Sequence, residues 1–162
     1  GSRKVIPKCT NLHEMPLVIV FDHWINNNDR YDHSANYIVD LNDWKIHLID
    51  HSSCFYGTKW KIRKLNEIKS HIKVYWGKVY QRFVPFIDRD HPFDDALSTL
   101  EPLSRVQIEE AVSGVPSEWG VSDDELRVLV DFLIERKSHV SKAIQQLKPY
   151  FPIWWSTTRK FT

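Results

Sequence analysis

The sequence predicts a mainly helical α+β fold in which a small β-hairpin lies near the start. Apolar residues recur at three- and four-residue steps from Pro16 to Ile25 and from Leu126 to Leu147, which is the period of helices packed on a core. Between these stretches, apolar and polar residues alternate from Trp44 to Asp50, which is the period of a half-buried strand.

The first helix is expected to begin at Pro16 and to follow an irregular stretch over residues 3–15. Proline suits the first helical position, because its missing N–H would have no partner there. The helical pattern stops at Asn26-Asn27-Asn28-Asp29, residue types that favour turns. The sequence therefore predicts a loop that starts near Asp29.

The hairpin is predicted from a strand over residues 36–39, a turn over 40–43 and a second strand over 44–50. The alternation of the second strand places Asp50 on the same face as the apolar side chains. A carboxylate at the end of a buried face is costly unless a cation or hydrogen-bond donors meet it. Asp50 is therefore a candidate site residue.

The rest of the chain is predicted to be helical. Residues 58–84 combine basic and aromatic residues with an apolar stripe that includes Leu65, Ile68 and Ile72. Ser104 and Ser122 each precede a Gln or Glu by three residues, a capping box that opens a helix. Pro149 is expected to end the last long helix.

Composition indicates an ordinary globular protein. The 162 residues are 42% hydrophobic and 27% charged, and the formal net charge is +1, which gives no electrostatic case for a nucleic-acid or membrane partner. Two cysteines are too few for a disulfide framework and suit a reducing cytoplasm. Gly1-Ser2 resembles the remnant of a cleaved tag, and Met15 is the only methionine. We expect residues 3–162 to form one domain that begins inside a longer protein, with 3–57 carrying the site and 58–162 forming a helical subdomain.

Three polar residues are expected to meet at the open end of the hairpin. Asn36 begins the first strand and Asp50 ends the second, so the two should be neighbours, and the loop from Asp29 must fold beside them. Phosphoryl transfer uses such a set: one carboxylate orients the attacking hydroxyl and accepts its proton, while an amide oxygen and a second carboxylate hold Mg²⁺ on the nucleotide phosphates.

The segment Phe21-Asp22-His23-Trp24-Ile25-Asn26-Asn27-Asn28-Asp29-Arg30, with Asn36 and Ile46-His47-Leu48-Ile49-Asp50-His51, resembles the HipA-like kinase family of the protein-kinase-like fold. The resemblance implies that Asp29 is the catalytic base, that Arg30 orders its loop, and that Asn36 and Asp50 bind Mg²⁺ and thereby ATP. It also implies a bacterial, cytoplasmic ATP-dependent kinase that phosphorylates a hydroxyl on a protein or a small molecule.

Two departures from the family pattern are visible. The family usually places the asparagine five residues after the aspartate, whereas Asn36 follows Asp29 by seven. Either the loop has two extra residues, with Asp32-His33 in between, or another residue replaces Asn36; the strand that begins at Asn36 favours the insertion. In addition, no glycine-rich loop and no strand pattern precede Asp29. We expect a C-terminal lobe alone, inactive by itself, whose N-terminal lobe belongs to the same protein or to a partner chain.

Other interpretations remain open at this point. A pseudokinase-like lobe could serve as a protein-interaction module, for example in a toxin–antitoxin pair. The cluster Lys59-Trp60-Lys61-Ile62-Arg63-Lys64 could bind an acidic or phosphorylated substrate or nucleic acid, although a solvated surface with one packed tryptophan is the commoner outcome. His33, His47 and His51 lack the spacing of a zinc site.

Overall fold

The fold is arranged around two helices that pack against each other, α2 (Met15–Trp24) and α7 (Asp123–Gln145). The computed structural model describes residues 2–156; Gly1, half of the dipeptide interpreted as a tag remnant, lies outside this range. The remaining helices are α1 (Ser2–Val5), α3 (Ile62–Ile68), α4 (Lys78–Gln81), α5 (Asp94–Leu100), α6 (Arg105–Ser113) and α8 (Pro152–Ser156). Single 3-10 turns connect several of them. No helix in the described range is both long enough and apolar enough to cross a membrane.

The predicted hairpin is present as two antiparallel strands, β1 (Tyr37–Asp40) and β2 (Lys45–Leu48). Tyr37 pairs with Leu48 at the open end, and Asp40 pairs with Lys45 beside the turn. Both strands begin one residue later than predicted, because Asn36 belongs to a 3-10 turn and Trp44, with a φ of +57°, belongs to the turn of the hairpin. The expectation of a mainly helical α+β fold is confirmed.

Helix α7 contributes to both clusters of the hydrophobic core. Its N-terminal half packs with α3 and α6 in a cluster that includes Leu65, Ile108 and Phe132. Its C-terminal half packs with α2 and α5 in a cluster that includes Val140 and Phe93. The capping boxes predicted at Ser104 and Ser122 both form, each with the serine side chain accepting from the third backbone N–H of the helix.

A buried arginine of α7 holds the C-terminal end of α2. Arg136, 3% exposed, donates from Nε to the carbonyl of Trp24 at 2.9 Å and from Nη2 to the carbonyl of His23. In return, the indole Nε1 of Trp24 donates to the carbonyl of Leu133 at 2.9 Å. Carbonyls at a helix C-terminus lack intrahelical partners and attract cations, so this arginine fixes the point at which the loop leaves α2.

The prediction that residues 58–84 are mostly helical is wrong between α3 and α4. Residues 69–77 are irregular, and Ile72, expected in an apolar stripe, is 42% exposed. Backbone groups of this segment bond to other elements instead of forming a helix. The N–H of Tyr75 donates to His23 Nε2 at 3.0 Å, and the carbonyl of His71 accepts from Arg136 Nη1 at 3.0 Å.

The buried histidine of α2 is uncharged. His23 is 0% exposed; its Nδ1 donates to the carbonyl of Ile19 at 2.7 Å, because its Nε2 must accept from Tyr75 N–H. Burial lowers the pKa of His23 from 6.5 to about 4. Below pH 6.5 the unfolded chain therefore binds a proton that the folded chain excludes until about pH 4.

We predict that His23→Gln flattens the pH dependence of stability. Neutral His23 contributes fully to the free energy of unfolding above pH 6.5. As the pH falls from 6.5 towards 4, this free energy decreases by roughly 3 kcal/mol. Urea unfolding at several pH values from 7.5 to 4.5 measures this loss for the wild type and the variant. His13→Gln, at an exposed histidine, is the matched control and should keep the wild-type slope. Equal slopes for the wild type and His23→Gln would contradict the prediction.

Candidate active site

The loop that carries Asp29 is fixed by the side chain of Asn27 directly after α2. Asn27 is fully buried; its Nδ2 donates to Asp22 Oδ1 at 3.1 Å, and its Oδ1 accepts from the backbone N–H of Asp29 at 3.2 Å. Asn26 has a φ of +56°, a conformation that asparagine tolerates better than most residues. The side chain of Asp29 is left 28% exposed at the surface of the loop.

Asn36 lies beside Asp29, as expected if the loop from Asp29 folds beside the open end of the hairpin. Asn36 Nδ2 donates to Asp29 Oδ2 at 2.6 Å, and the backbone carbonyl of Asn36 accepts from the N–H of Ile49 at 3.1 Å. This second bond extends the hairpin ladder by one step, so that Asp50 follows directly after the residue that faces Asn36. The other oxygen of Asp29, Oδ1, contacts Nδ1 of His33.

Two residues of the loop between Asp29 and Asn36 make contacts that hold it in place. Asp32 Oδ1 accepts from the backbone N–H of Lys78 at 3.3 Å, and its Oδ2 lies 3.8 Å from Lys78 Nζ, so Asp32 attaches the loop to the start of α4. His33 turns back onto Asp29. The loop is thus held by α4 and by its own contacts, and Asn36 reaches Asp29 across a spacing of seven residues.

A buried ion pair beneath the loop was not found by the sequence reasoning. Asp22 and Arg30 are both 0% exposed and form a salt bridge. Asp22 Oδ2 also accepts from the hydroxyl of Tyr80 at 2.6 Å, and Arg30 Nη2 donates to the carbonyl of Ile49 at 3.2 Å. The available signal was an aspartate inside the apolar run of α2, since such a residue needs a buried partner.

The electrostatics of this pair are set by burial and by hydrogen bonds. Burial raises the pKa of Asp22, while the Arg30 guanidinium, the Tyr80 hydroxyl and the Asn27 amide act in the opposite direction. Burial likewise raises the pKa of the Tyr80 hydroxyl, which therefore remains a hydrogen-bond donor. Arg30 thus links α2, the Asp29 loop and the end of β2 through one side chain.

The expectation that Asp50 lies on the buried face of its strand is wrong. β2 ends at Leu48, and Asp50 is exposed with a φ of +52°. This left-handed conformation breaks the alternation on which the prediction depended. Donors are supplied locally: Asp50 Oδ1 accepts from Ser52 Oγ at 2.6 Å and from Ser52 N–H at 3.1 Å, and these bonds lower the pKa of Asp50.

The segment after Asp50 has an unusual backbone. Phe55, Tyr56 and Gly57 all have positive φ values, of 54°, 86° and 92°. Such conformations cost non-glycine residues about 1–3 kcal/mol each and occur preferentially at functional sites. A bond from the N–H of Phe55 to the carbonyl of Ile25 at 2.9 Å holds this segment against the end of α2.

Two side chains of the candidate site carry oxygen atoms of the kind that binds magnesium. In the described part of the chain, Asn36 Oδ1 and Asp50 Oδ2 accept no protein hydrogen bond, since Asn36 uses its Nδ2 on Asp29 and Asp50 uses its Oδ1 on Ser52. Amide and carboxylate oxygens are the ligands that Mg²⁺ prefers, together with water and substrate phosphates. The residues present therefore fit the cation.

A second group of ligand-type side chains lies at the turn of the hairpin. Atoms of Asp40, Asp43 and His47 lie within 4.8 Å of one another. The two carboxylates stabilise the turn. Asp40 Oδ1 accepts from the N–H of Asn42 at 2.8 Å, and Asp43 Oδ1 accepts from the N–H of Lys45 at 3.0 Å. His47 is exposed, as predicted, and these contacts explain the group without a metal.

Comparison with protein families identifies the chain. The family model described as HipA-like kinase matches residues 8–151, which is most of the sequence. This chain belongs to the HipA-like kinase family. The membership supports a kinase-like function at the level of the family. Neither the curated proteins nor the solved structures gave a match.

We predict that Arg30→Met strongly destabilises this HipA-like kinase chain. The change leaves the Asp22 carboxylate buried without its cation, which costs about 3–5 kcal/mol. Urea unfolding measures the loss. Arg63→Met, at an arginine 3.4 Å from Glu67 on the surface, is the control and should change stability by less than about 1 kcal/mol. Similar losses for the two variants would show that the buried pair has no special role.

We also predict that Gly77→Ala disturbs the loop between Asp29 and Asn36 in this HipA-like kinase chain. A Cβ at Gly77 would lie 2.8 Å from Tyr31 Cδ2, 2.9 Å from the carbonyl of Tyr31 and 3.0 Å from Asp32 Oδ1. We expect the free energy of unfolding, measured with urea, to fall by about 1–3 kcal/mol. Gly114→Ala, where the nearest atom is 3.4 Å away, should be neutral or stabilising. A neutral Gly77→Ala would refute the close packing of the loop on α4.

Proposed function

We propose that the chain is the C-terminal lobe of an ATP- and Mg²⁺-dependent kinase that transfers the γ-phosphoryl group to a serine or threonine hydroxyl of a protein. The observation that carries this proposal is the contact between Asn36 and Asp29 at 2.6 Å, beside the end of the strand that leads to Asp50. Membership of the HipA-like kinase family supports the reaction class.

Each site residue has one role in the proposed reaction. Asp29, partly exposed, orients the acceptor hydroxyl and takes its proton as the oxygen–phosphorus bond forms. Asn36 and Asp50 hold the Mg²⁺ that neutralises the charge of the nucleotide phosphates. Arg30 is a positioning residue, because its buried guanidinium contacts Asp22 and the carbonyl of Ile49, not solvent.

Exposed apolar side chains on the outer face of the hairpin support the proposal that an N-terminal lobe covers it. Ile38 on β1 is 51% exposed and Leu41 at the turn is 64% exposed, although the opposite face of the hairpin packs on the core. A second lobe from the same protein or from a partner chain would cover these apolar side chains and enclose the nucleotide against Asn36 and Asp50. We therefore expect the chain alone to bind ATP weakly and to lack turnover.

A non-catalytic interaction module is the alternative, and one observation favours it. Both carboxylate oxygens of Asp29 are engaged, Oδ1 by His33 and Oδ2 by Asn36, so that an acceptor hydroxyl must displace His33. His33 is well exposed and belongs to the longer loop, so displacement needs no change in the core.

Phosphate transfer by the full-length protein tests the assignment. We predict that Asp29→Ala lowers the transfer rate by about 10²–10⁴-fold, because the general base is lost, while ATP affinity stays within about twofold. Radiolabelled ATP with a serine-containing protein substrate gives the rate, and calorimetry gives the affinity. Asp43→Ala, at an exposed carboxylate of the hairpin turn, should transfer at the wild-type rate. Equal transfer by Asp29→Ala and the wild type would contradict the assignment of Asp29 as the base, whereas absence of transfer by the wild type would support the non-catalytic alternative.

A further inference from the structure

Positive charge is concentrated in one stretch of the chain, which follows the hairpin. Residues 59–73 contain six lysines and arginines and one acidic residue, whereas the whole chain carries a formal net charge of +1. The basic residues are Lys59, Lys61, Arg63, Lys64, Lys69 and Lys73, and we call this group the basic patch. The rest of the chain is therefore net negative, and the patch is a local feature.

Most of the charge of the basic patch has no counterion. Glu67 lies 3.4 Å from both Arg63 and Lys64 and is the acidic residue within the stretch. Among residues 2–156, no carboxylate forms a salt bridge with Lys59, Lys61, Lys69 or Lys73. An exposed surface with such an excess attracts anions and raises their local concentration.

A small cavity connects the basic patch to the catalytic loop. It has a volume of about 100 Å³, and its lining includes Asn28, Tyr56, His71 and Lys73. Asn28 directly precedes Asp29 in the chain, so the wall of the cavity continues into the loop that carries the proposed base. Two lysines stand at aromatic rings of this region: Lys64 Nζ is 4.4 Å from the ring centre of Tyr56, and Lys73 Nζ is 5.3 Å from that of Tyr75.

The floor of the cavity is rigid. Tyr75 is buried, and its hydroxyl donates to Asn26 Oδ1 at 2.9 Å, while the carbonyl of the neighbouring His71 accepts from Arg136. Tyr56, 48% exposed with a φ of +86°, is held at the rim by the strained segment after Asp50. A recognition subsite typically has fixed polar groups around a space for about one side chain, and this cavity has both properties.

We propose that this surface selects the phosphate acceptor: an acidic peptide whose aspartate or glutamate side chain enters the cavity beside Lys73 while the rest of the basic patch binds further carboxylates. The proposal rests on the proposed function, since it places the acceptor hydroxyl next to Asp29. The substrate class is therefore a serine or threonine flanked by acidic residues.

The aromatic residues of the surface favour a peptide over a nucleic acid. Non-specific single-strand binding depends on exposed rings on which successive bases stack. Trp60 is only half exposed and packs against the core cluster of α3, α6 and α7, and Tyr75 is buried. Among the described tyrosines and tryptophans beside the basic patch, Tyr56 alone is well exposed. One exposed ring is too few for a stacking platform.

Peptide binding by the chain tests the proposal without any phosphate transfer. Fluorescence anisotropy compares a labelled serine peptide flanked by glutamates with peptides flanked by glutamines or lysines. We predict that the acidic peptide binds at least about tenfold more tightly than either, and that its affinity falls with salt. Lys73→Glu should weaken it by about tenfold, and Lys73→Arg should retain it. Lys142→Glu, an exposed lysine of α7, makes the same charge change and should have no effect.

Any of three results would overturn the proposal. The first is equal affinity for acidic and lysine-flanked peptides, and the second is equal loss of affinity in Lys73→Glu and Lys142→Glu. The third is tighter, Lys73-dependent binding of a single-stranded oligonucleotide, which would assign the basic patch to nucleic acid. Failure of phosphate transfer in the full-length protein, with acidic-peptide binding intact, would contradict the proposed function alone.

Discussion

The buried ion pair between Asp22 and Arg30 is the interaction on which the site depends. It joins a core helix to the loop of Asp29, and through the carbonyl of Ile49 it reaches the segment of Asp50. Removal of either partner would leave the other charge buried without compensation, and would therefore affect every element that the pair connects. Tyr80 and Asn27 complete the donor set of Asp22 and leave little freedom in the loop.

A second set of polar contacts determines where that loop begins. Arg136 binds the last carbonyls of α2, and the neutral His23 accepts from the irregular segment that leads to α4. Burial without charge compensation is possible for His23 because a neutral imidazole donates at one nitrogen and accepts at the other. The segment that sequence periodicity assigned to a helix is thereby held in another conformation, and its irregular backbone forms part of the wall of the cavity beside the basic patch.

The loop between Asp29 and Asn36 keeps these two residues in contact across a spacing of seven residues. Asp32 binds the start of α4, and His33 contacts Asp29, so both residues hold the loop in place. Gly77 permits this arrangement, because any larger side chain would overlap Tyr31. In the proposed kinase, His33 contacts the Asp29 oxygen that the acceptor hydroxyl would approach. This residue of the loop would therefore have to move before the acceptor reaches the base.

The sequence by itself determined the helices around Trp24 and Leu133, the capping boxes and the hairpin, because periodicity and turn chemistry are local properties of the chain. It also placed Asn36 beside the segment that follows the second strand, since a hairpin necessarily joins its outer ends. Tertiary structure alone decided the exposure of Asp50, whose left-handed φ ends the strand alternation. It also decided the partner of Asp22 and the irregular path of residues 69–77, because these depend on groups distant in the chain, such as Tyr80 and Arg136, that no local pattern can place.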